Sequence, residues 1–214
     1  PPRPEESVLL REKVLERLPG CGALVLSDYG KGVLLDGADG HSLCAPVIAA
    51  ARERGIPVLV DPKGGQWRRY AGAQCVTPNS AEFALACGLE AGDSPDQRER
   101  ESLAAALRER HGLERLLLTR GPKGMALFSP DRPPQYIRAA VREVADVSGA
   151  GDTVIATLAA CVAKGLDWEE SALVANTAAG VVVGKPGTAP VALRELNLAL
   201  RENADNPKLY SLPD

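Results

Sequence analysis

The chain has 214 residues, with 25 Lys and Arg against 28 Asp and Glu for a formal charge of -3. That length suits one continuous core, and an apolar share of 45% is that of a globular α/β protein, which excludes a disordered or fibrous chain. No cationic excess points to nucleic acid or an anionic membrane surface, so a small molecule is the expected partner.

Along the chain, Val8, Leu9, Val14, Leu15 and Leu18 recur at helical spacing and Pro19-Gly20 stops the pattern, which predicts a helix over 6–18. Ala23-Leu24-Val25-Leu26 is a continuous apolar run that ends in the polar loop 27–32, the profile of a buried parallel strand. The cycle repeats with a helix over 41–54, a strand over 57–60 closed by Asp61-Pro62-Lys63-Gly64, a strand over 74–77 ending at Pro78-Asn79, and a short helix over 81–87. A helix over 96–110 leads to a strand over 115–119, and the segments 125–128 and 135–137 suggest an antiparallel pair around a Pro-rich turn. Two Ala-rich helices are expected over 153–164 and 169–183, and a last one begins near Val191.

Strands alternating with helices imply right-handed βαβ units and a mostly parallel sheet covered on both faces, in a single domain. In such sheets the ligand site lies outside the carboxyl ends of the strands, where Asp28, Asp61, Asn79 and Arg120 would gather. The five cysteines are widely spaced without a CxxC pair and His41 and His111 stand apart from them, so buried, reduced thiols are expected rather than zinc. No apolar run reaches the roughly 20 residues a membrane span needs, and the Pro-rich start has no secretory profile, so the expected compartment is the cytoplasm.

Asp146-Val147-Ser148-Gly149-Ala150-Gly151-Asp152 precedes an apolar run of helical composition. Glycines there would leave backbone N–H groups unpaired at a helix amino terminus, where they and the helix dipole can hold phosphate oxygens. Asp152, in the first turn beside that anion hole, is placed to accept a proton from an attacking hydroxyl. The same residues also admit a plain reading in which Asp152 caps the helix and the glycines turn the chain. The motif is neither a P-loop, lacking GxxxxGK[ST], nor a Rossmann fingerprint.

The segment 146–152 resembles the DxxGAGD motif of ribokinase-like (PfkB) carbohydrate kinases, and Asn79-Ser80-Ala81-Glu82 resembles their NxxE element. The resemblance runs from about Val8 to Leu196 and implies a three-layer αβα fold, with residues 1–214 as its carboxy-terminal, nucleotide-binding and catalytic part. It further implies that the amino-terminal strands, part of the sugar pocket and the lid lie outside this chain. In that family the last Asp, here Asp152, is the catalytic base, and Gly149, Ala150 and Gly151 form the anion hole; Lys63, a compact cation, is placed to reach the transferring phosphoryl group, with a plain strand-end turn of Asp61-Pro62-Lys63 as the alternative. Asn79, Ser80, Ala81 and Glu82 are expected at the ATP phosphates, with Glu82 organising Mg²⁺ through water. Thr119, Arg120 and Gly121 would face the nucleotide, Asn176 would lie near adenine, and Asp28, Tyr29 and Lys31 would meet substrate.

Several of these residues keep a second reading: Asn79 and Glu82 as a capping box, Asp28 and Lys31 as turn formers, Asn176 as a backbone-bonded amide. Tyr29, Trp67 and Tyr70 are candidates for lining a sugar pocket, with packing the alternative for Trp67. A monovalent cation such as K⁺ near Asp146 and Ser148 is a further option from the resemblance, where Ser148 replaces the family's usual Thr. The segments 27–32, 61–64, 78–83, 151–156 and 175–188 look most like the bacterial D-glycero-β-D-manno-heptose-7-phosphate kinases, which implies phosphorylation of the anomeric O1 by ATP and a place in ADP-heptose and lipopolysaccharide synthesis. The alternatives are a ribokinase-like kinase for fructose phosphate, ribose or a nucleoside, and a non-catalytic nucleotide-binding module. A homodimer is expected of the full-length protein, again by resemblance.

Overall fold

The computed structural model of the protein describes residues 3–35, 42–90, 93, 95–140 and 145–204. Helix α1 (Pro4–Arg17) leads to strand β1 (Leu24–Ser27), then α2 (Cys44–Glu53), β2 (Val58–Asp61) and β3 (Cys75–Val76). Helices α3 (Ser80–Cys87) and α4 (Gln97–His111) precede β4 (Arg115–Thr119), β5 (Met125–Phe128) and β6 (Gln135–Ile137), and α5 (Ala150–Ala163), α6 (Trp168–Val183) and α7 (Leu193–Ala204) close the chain. Every expected element is present within a few residues of its predicted ends, although His41, placed at the start of a helix, lies outside the described residues.

The six strands lie in chain order, β1 to β4 parallel and β4, β5, β6 antiparallel. A right-handed crossover that always steps in the same direction leaves its helix on the same face, so α2, α3 and α4 share one side. Val47 and Ile48 of α2, Phe83 of α3 and Leu107 of α4 accordingly pack with Leu26, Val60, Leu116, Leu118 and Tyr136. The alternate strand residues Leu59, Cys75, Leu117, Leu127 and Ile137 point the other way, against Val154, Ile155 and Leu158 of α5 and Ala172 and Ala175 of α6. The result is three layers. Because α5 and α6 follow the last strand, their connection can carry the Gly149 segment back to the carboxyl ends of the parallel strands.

The turn between β4 and β5 contains Gly124, at φ +80°, where a Cβ would collide with the backbone of Ile137 and Arg138. Only glycine allows β6 to pass so close. One expectation needs correction. Val25 is 38% exposed because β1 is the sheet's edge strand, so it is not buried on both faces. The segment Trp67–Tyr70, too short and too polar to show a period, forms a 3-10 turn.

Among the thiols, Cys44 and Cys75 are buried, Cys87 and Cys161 partly so, and Cys21 is exposed, against the expectation for it; all five are free. Burial pushes the Cys75 thiol up to about 12, the value of an inert packing residue. Among the described residues no helix is long and apolar enough to cross a membrane.

Candidate active site

The carboxyl ends of the parallel strands and the amino end of α5 meet along one edge. Gly149 is the N-cap of α5 at φ +78°, and this left-handed turn, natural for glycine, swings the chain into the helix. Among the described residues the N–H groups of Gly151 and Asp152 find no backbone acceptor, whereas those of Ala150 and Thr153 bond Val147 and Gly149. Two free donors at the positive end of a 14-residue helix make an exposed cradle for an anion. Upstream, the Asp146 carboxylate accepts from the Ser148 N–H at 2.8 Å, which holds the entry to the loop and keeps that carboxyl below its usual range.

Asp152 caps nothing. The cap has no side-chain bond, and the Asp152 Oδ1 instead accepts a hydrogen bond from the Tyr29 hydroxyl at 2.7 Å, across 123 residues of sequence. Its carboxylate therefore stands exposed over the end of β1, reachable by a hydroxyl group. Tyr29 is 64% exposed.

Lys63, beyond the end of β2, extends its Nζ to within 3.3 Å of the Glu82 Oε1. The other Glu82 oxygen accepts from the Asn79 N–H at 3.1 Å, while the Asn79 Oδ1 accepts from the N–H groups of Ala81 and Glu82 at 2.9 Å each. That reciprocal pair is a capping box, and it turns a carboxylate that is only 7% exposed towards the strand edge. Capping and a phosphate-side position thus coexist in these residues. Ser80 bonds the Thr119 carbonyl, and a parallel bridge joins Asn79 to Thr119, which ties the loops after β3 and β4 together.

Asp61, expected at this edge from its place at a strand end, has a perturbed carboxyl that the sequence did not indicate. Burial, together with the Glu82 and Asp152 carboxylates, pushes its carboxyl up to about 6. The composition of the strand end carries no signal for this, because the shift comes from burial in the fold and from neighbours 21 and 91 positions away. A carboxyl raised in the folded state keeps its proton between about pH 4 and 6 while the unfolded chain has released it, so stability falls as pH rises through that window and the loss is complete above it. Asp61→Asn should match the parent near pH 4 and exceed it above about pH 6, by on the order of 1–2 kcal/mol for a partly solvated group. Thermal midpoints across that range check it, and parallel curves for the two proteins would show that Asp61 carries no such charge strain.

Three expected contacts stand elsewhere. Asp28 is 6% exposed and its oxygens are taken up inside the fold by Arg69 at 3.1 Å, by the Tyr70 hydroxyl and by the Gly30 N–H, so it holds its own loop in shape. Asn176 is 3% exposed and donates to the Arg138 carbonyl at 2.8 Å, which ties α6 to the end of β6 and leaves its amide away from any open edge. The Arg120 guanidinium lies over the Tyr136 ring, 5.5 Å from its centre, on the α4 face of the sheet and not on the α5 face. Gly121 and Lys31 remain exposed at the edge, and Thr119 ends β4 there. Trp67 and Tyr70 are both fully buried, so of the three aromatic candidates only Tyr29 is available to a ligand.

The described residues contain no group of three or more His, Cys, Asp or Glu side chains placed to hold a metal. The pair Asp61 and Glu82 still fits a divalent cation whose other ligands come from phosphate and water, since after burial the Glu82 and Asp152 carboxylates add to the rise of the Asp61 carboxyl, and Thr77 and Lys63 oppose it.

A family model described as pfkB family carbohydrate kinase matches residues 11–194. The chain is similar to the bifunctional protein HldE of Alkalilimnicola ehrlichii, 50% identical over 86% of this chain and 36% of that protein. It is also similar to the bifunctional protein HldE of Pseudomonas fluorescens, 45% identical over 97% of this chain and 41% of that one. The chain thus spans about two-fifths of the length of these curated relatives. Among solved structures, phosphofructokinase-2 of Escherichia coli in complex with potassium superposes with a TM-score of 0.77 at 20% identity, over 94% of this chain and 63% of that one. Arabidopsis thaliana ribokinase complexed with ribose and ATP gives 0.74 at 23% identity, over 89% and 59%. These two share the fold.

Proposed function

This chain belongs to the pfkB family of carbohydrate kinases, and we propose that it carries the phosphoryl-transfer centre of an ATP-dependent kinase that acts on the anomeric hydroxyl of D-glycero-β-D-manno-heptose 7-phosphate. The observation that carries the reading is the position of Asp152, exposed beside two free backbone donors and hydrogen-bonded to a hydroxyl in the place an acceptor hydroxyl would take. Asp152 accepts the proton as the sugar oxygen attacks, and the Gly151 and Asp152 N–H groups hold the oxygens of the transferring group. Lys63 supplies a mobile cation from the opposite side of the edge. Phosphoryl transfer asks for alignment and charge neutralisation more than covalent chemistry, which this arrangement provides. Bound Mg²⁺ would bring further neutralisation, held near Glu82 and Asp61.

The sugar assignment rests on the likeness of the 27–32 and 175–188 segments to heptose 7-phosphate kinases and on relatives named HldE. A place in ADP-heptose and lipopolysaccharide synthesis, a cytoplasmic location and a homodimer belong to the same proposal. The test is turnover of heptose 7-phosphate against fructose 6-phosphate and ribose, by a protein that carries this chain together with the further length its relatives have. Preference for fructose 6-phosphate or ribose would reassign the substrate, and turnover of none of them would leave a nucleotide-binding module.

Glu82→Gln separates its two roles. The amide keeps the capping oxygen but loses the charge, so the Mg²⁺ concentration for half-maximal nucleotide binding should rise about tenfold while the thermal midpoint changes little. An unaltered Mg²⁺ titration would reduce Glu82 to a helix cap.

A further inference from the structure

On the far face of the sheet, under α4, the Arg120 side chain opens into a cavity of about 580 Å³ that is separate from the Asp152 edge. Gln97 and Arg100 of α4 form one wall, Arg120 and Lys123 of the β4–β5 turn another, and Tyr136 and Arg138 of β6 and its continuation the floor. Four of these side chains are cationic, and no carboxylate lies among the residues that line it. On α4 beside it, Glu101 is occupied by the Tyr136 hydroxyl at 2.9 Å and the Gln97 amide at 3.0 Å. Like charges gathered around one hollow repel unless something fills it.

Arg120 shows that repulsion most directly. Its Nη1 is buried and has no hydrogen-bond partner, an arrangement that costs free energy in any folded protein. Burial and the neighbouring Arg100 both hold its guanidinium below the usual range. One Arg100 nitrogen is already bonded to the Pro95 carbonyl at 2.6 Å, which fixes the guanidinium at the wall. Lys123 is exposed at the mouth, able to swing over an occupant. A planar guanidinium stacked on an aromatic ring with a free N–H edge is a fork shaped for the paired oxygens of a phosphate.

We propose that this cavity is a second anion site, which binds a small phosphorylated molecule with two or more negative charges through Arg100, Arg120 and Lys123. Strand parity places it on the opposite face of the sheet from α5. Leu116 and Leu118 face the same side as Tyr136 and α4, whereas Leu117 faces α5, whose first turn carries Asp152. Occupancy there would brace α4 against the β4–β5 turn, whose preceding residue, Thr119, is bridged to Asn79 at the active edge.

The test is calorimetric titration of the chain with inorganic pyrophosphate, in the presence of a saturating non-hydrolysable ATP analogue and Mg²⁺. Saturable binding should persist under those conditions, and it should weaken about ten- to a hundredfold in Arg120→Gln and in Lys123→Gln. Displacement of pyrophosphate by the ATP analogue would merge the cavity with the nucleotide site and overturn the proposal. Unchanged affinity in both variants, or no saturable binding by the parent, would overturn it as well. Should Arg120→Gln fail to fold, Lys123→Gln decides, since its side chain is exposed and supports no packing.

Discussion

Asp152→Asn should leave the chain folded and remove about 10²- to 10⁴-fold of the turnover of the complete enzyme, or roughly 3–5 kcal/mol of transition-state stabilisation. The substitution is nearly isosteric, and the side chain it alters is exposed and caps no helix. Its one direct bond, from the Tyr29 hydroxyl, survives, because the amide oxygen can accept it. The helix loses a favourable carboxylate in its first turn, worth about 0.3–1 kcal/mol. Nucleotide affinity should be maintained or slightly raised, since a negative charge beside the phosphate cradle is gone. Steady-state turnover with nucleotide binding measured alongside separates the roles. A parallel drop in both would place Asp152 in nucleotide or metal binding, and unchanged turnover would remove it from the chemistry.

The fold was legible because its parts announce themselves locally. Apolar runs such as Val58-Leu59-Val60 and Leu116-Leu117-Leu118 end in Asp, Pro or Gly, and the segment after Gly149 has helical composition. The capping box of Asn79 and Glu82 was equally readable, being a three-residue pattern. What escaped the sequence is long-range. Asp28 reads as a loop residue outside a strand, and only the fold brings Arg69 and Tyr70, 41 and 42 positions on, over its carboxylate. For Asn176 the sequence suggests a backbone partner for the amide but not which one, the Arg138 carbonyl just after β6, 38 positions away. Arg120 adjoins a turn that resembles a nucleotide loop, but the alternation of β4 sends its side chain to the other face.

The largest effect on stability is expected from Asp28→Ala. The Arg69 and Asp28 side chains are 8% and 4% exposed, so their ion pair is buried, and removal of the carboxylate strands a guanidinium with little water around it. Breaking one side of a buried pair costs about 3–5 kcal/mol. The Tyr70 hydroxyl loses its acceptor too, and burial and the Asp28 bond hold that phenol above its ordinary range, so it cannot ionise to compensate. The damage should reach the active edge, because the same cluster fixes both loops there. Arg69 donates to the Lys63 carbonyl at 3.0 Å, the Tyr70 hydroxyl accepts from the Lys63 N–H at 3.4 Å, and Asp28 directly precedes Tyr29. Asp28→Asn retains an acceptor for Gly30 or Tyr70 and loses only the charge, so its midpoint in urea should fall between those of the alanine variant and the parent. If Asp28 instead touched the sugar phosphate, the alanine variant would unfold at the parent's urea concentration and show its defect in KM alone. A large loss of stability, with KM recovering in the asparagine variant, identifies Asp28 as the residue that positions the loops of Tyr29 and Lys63.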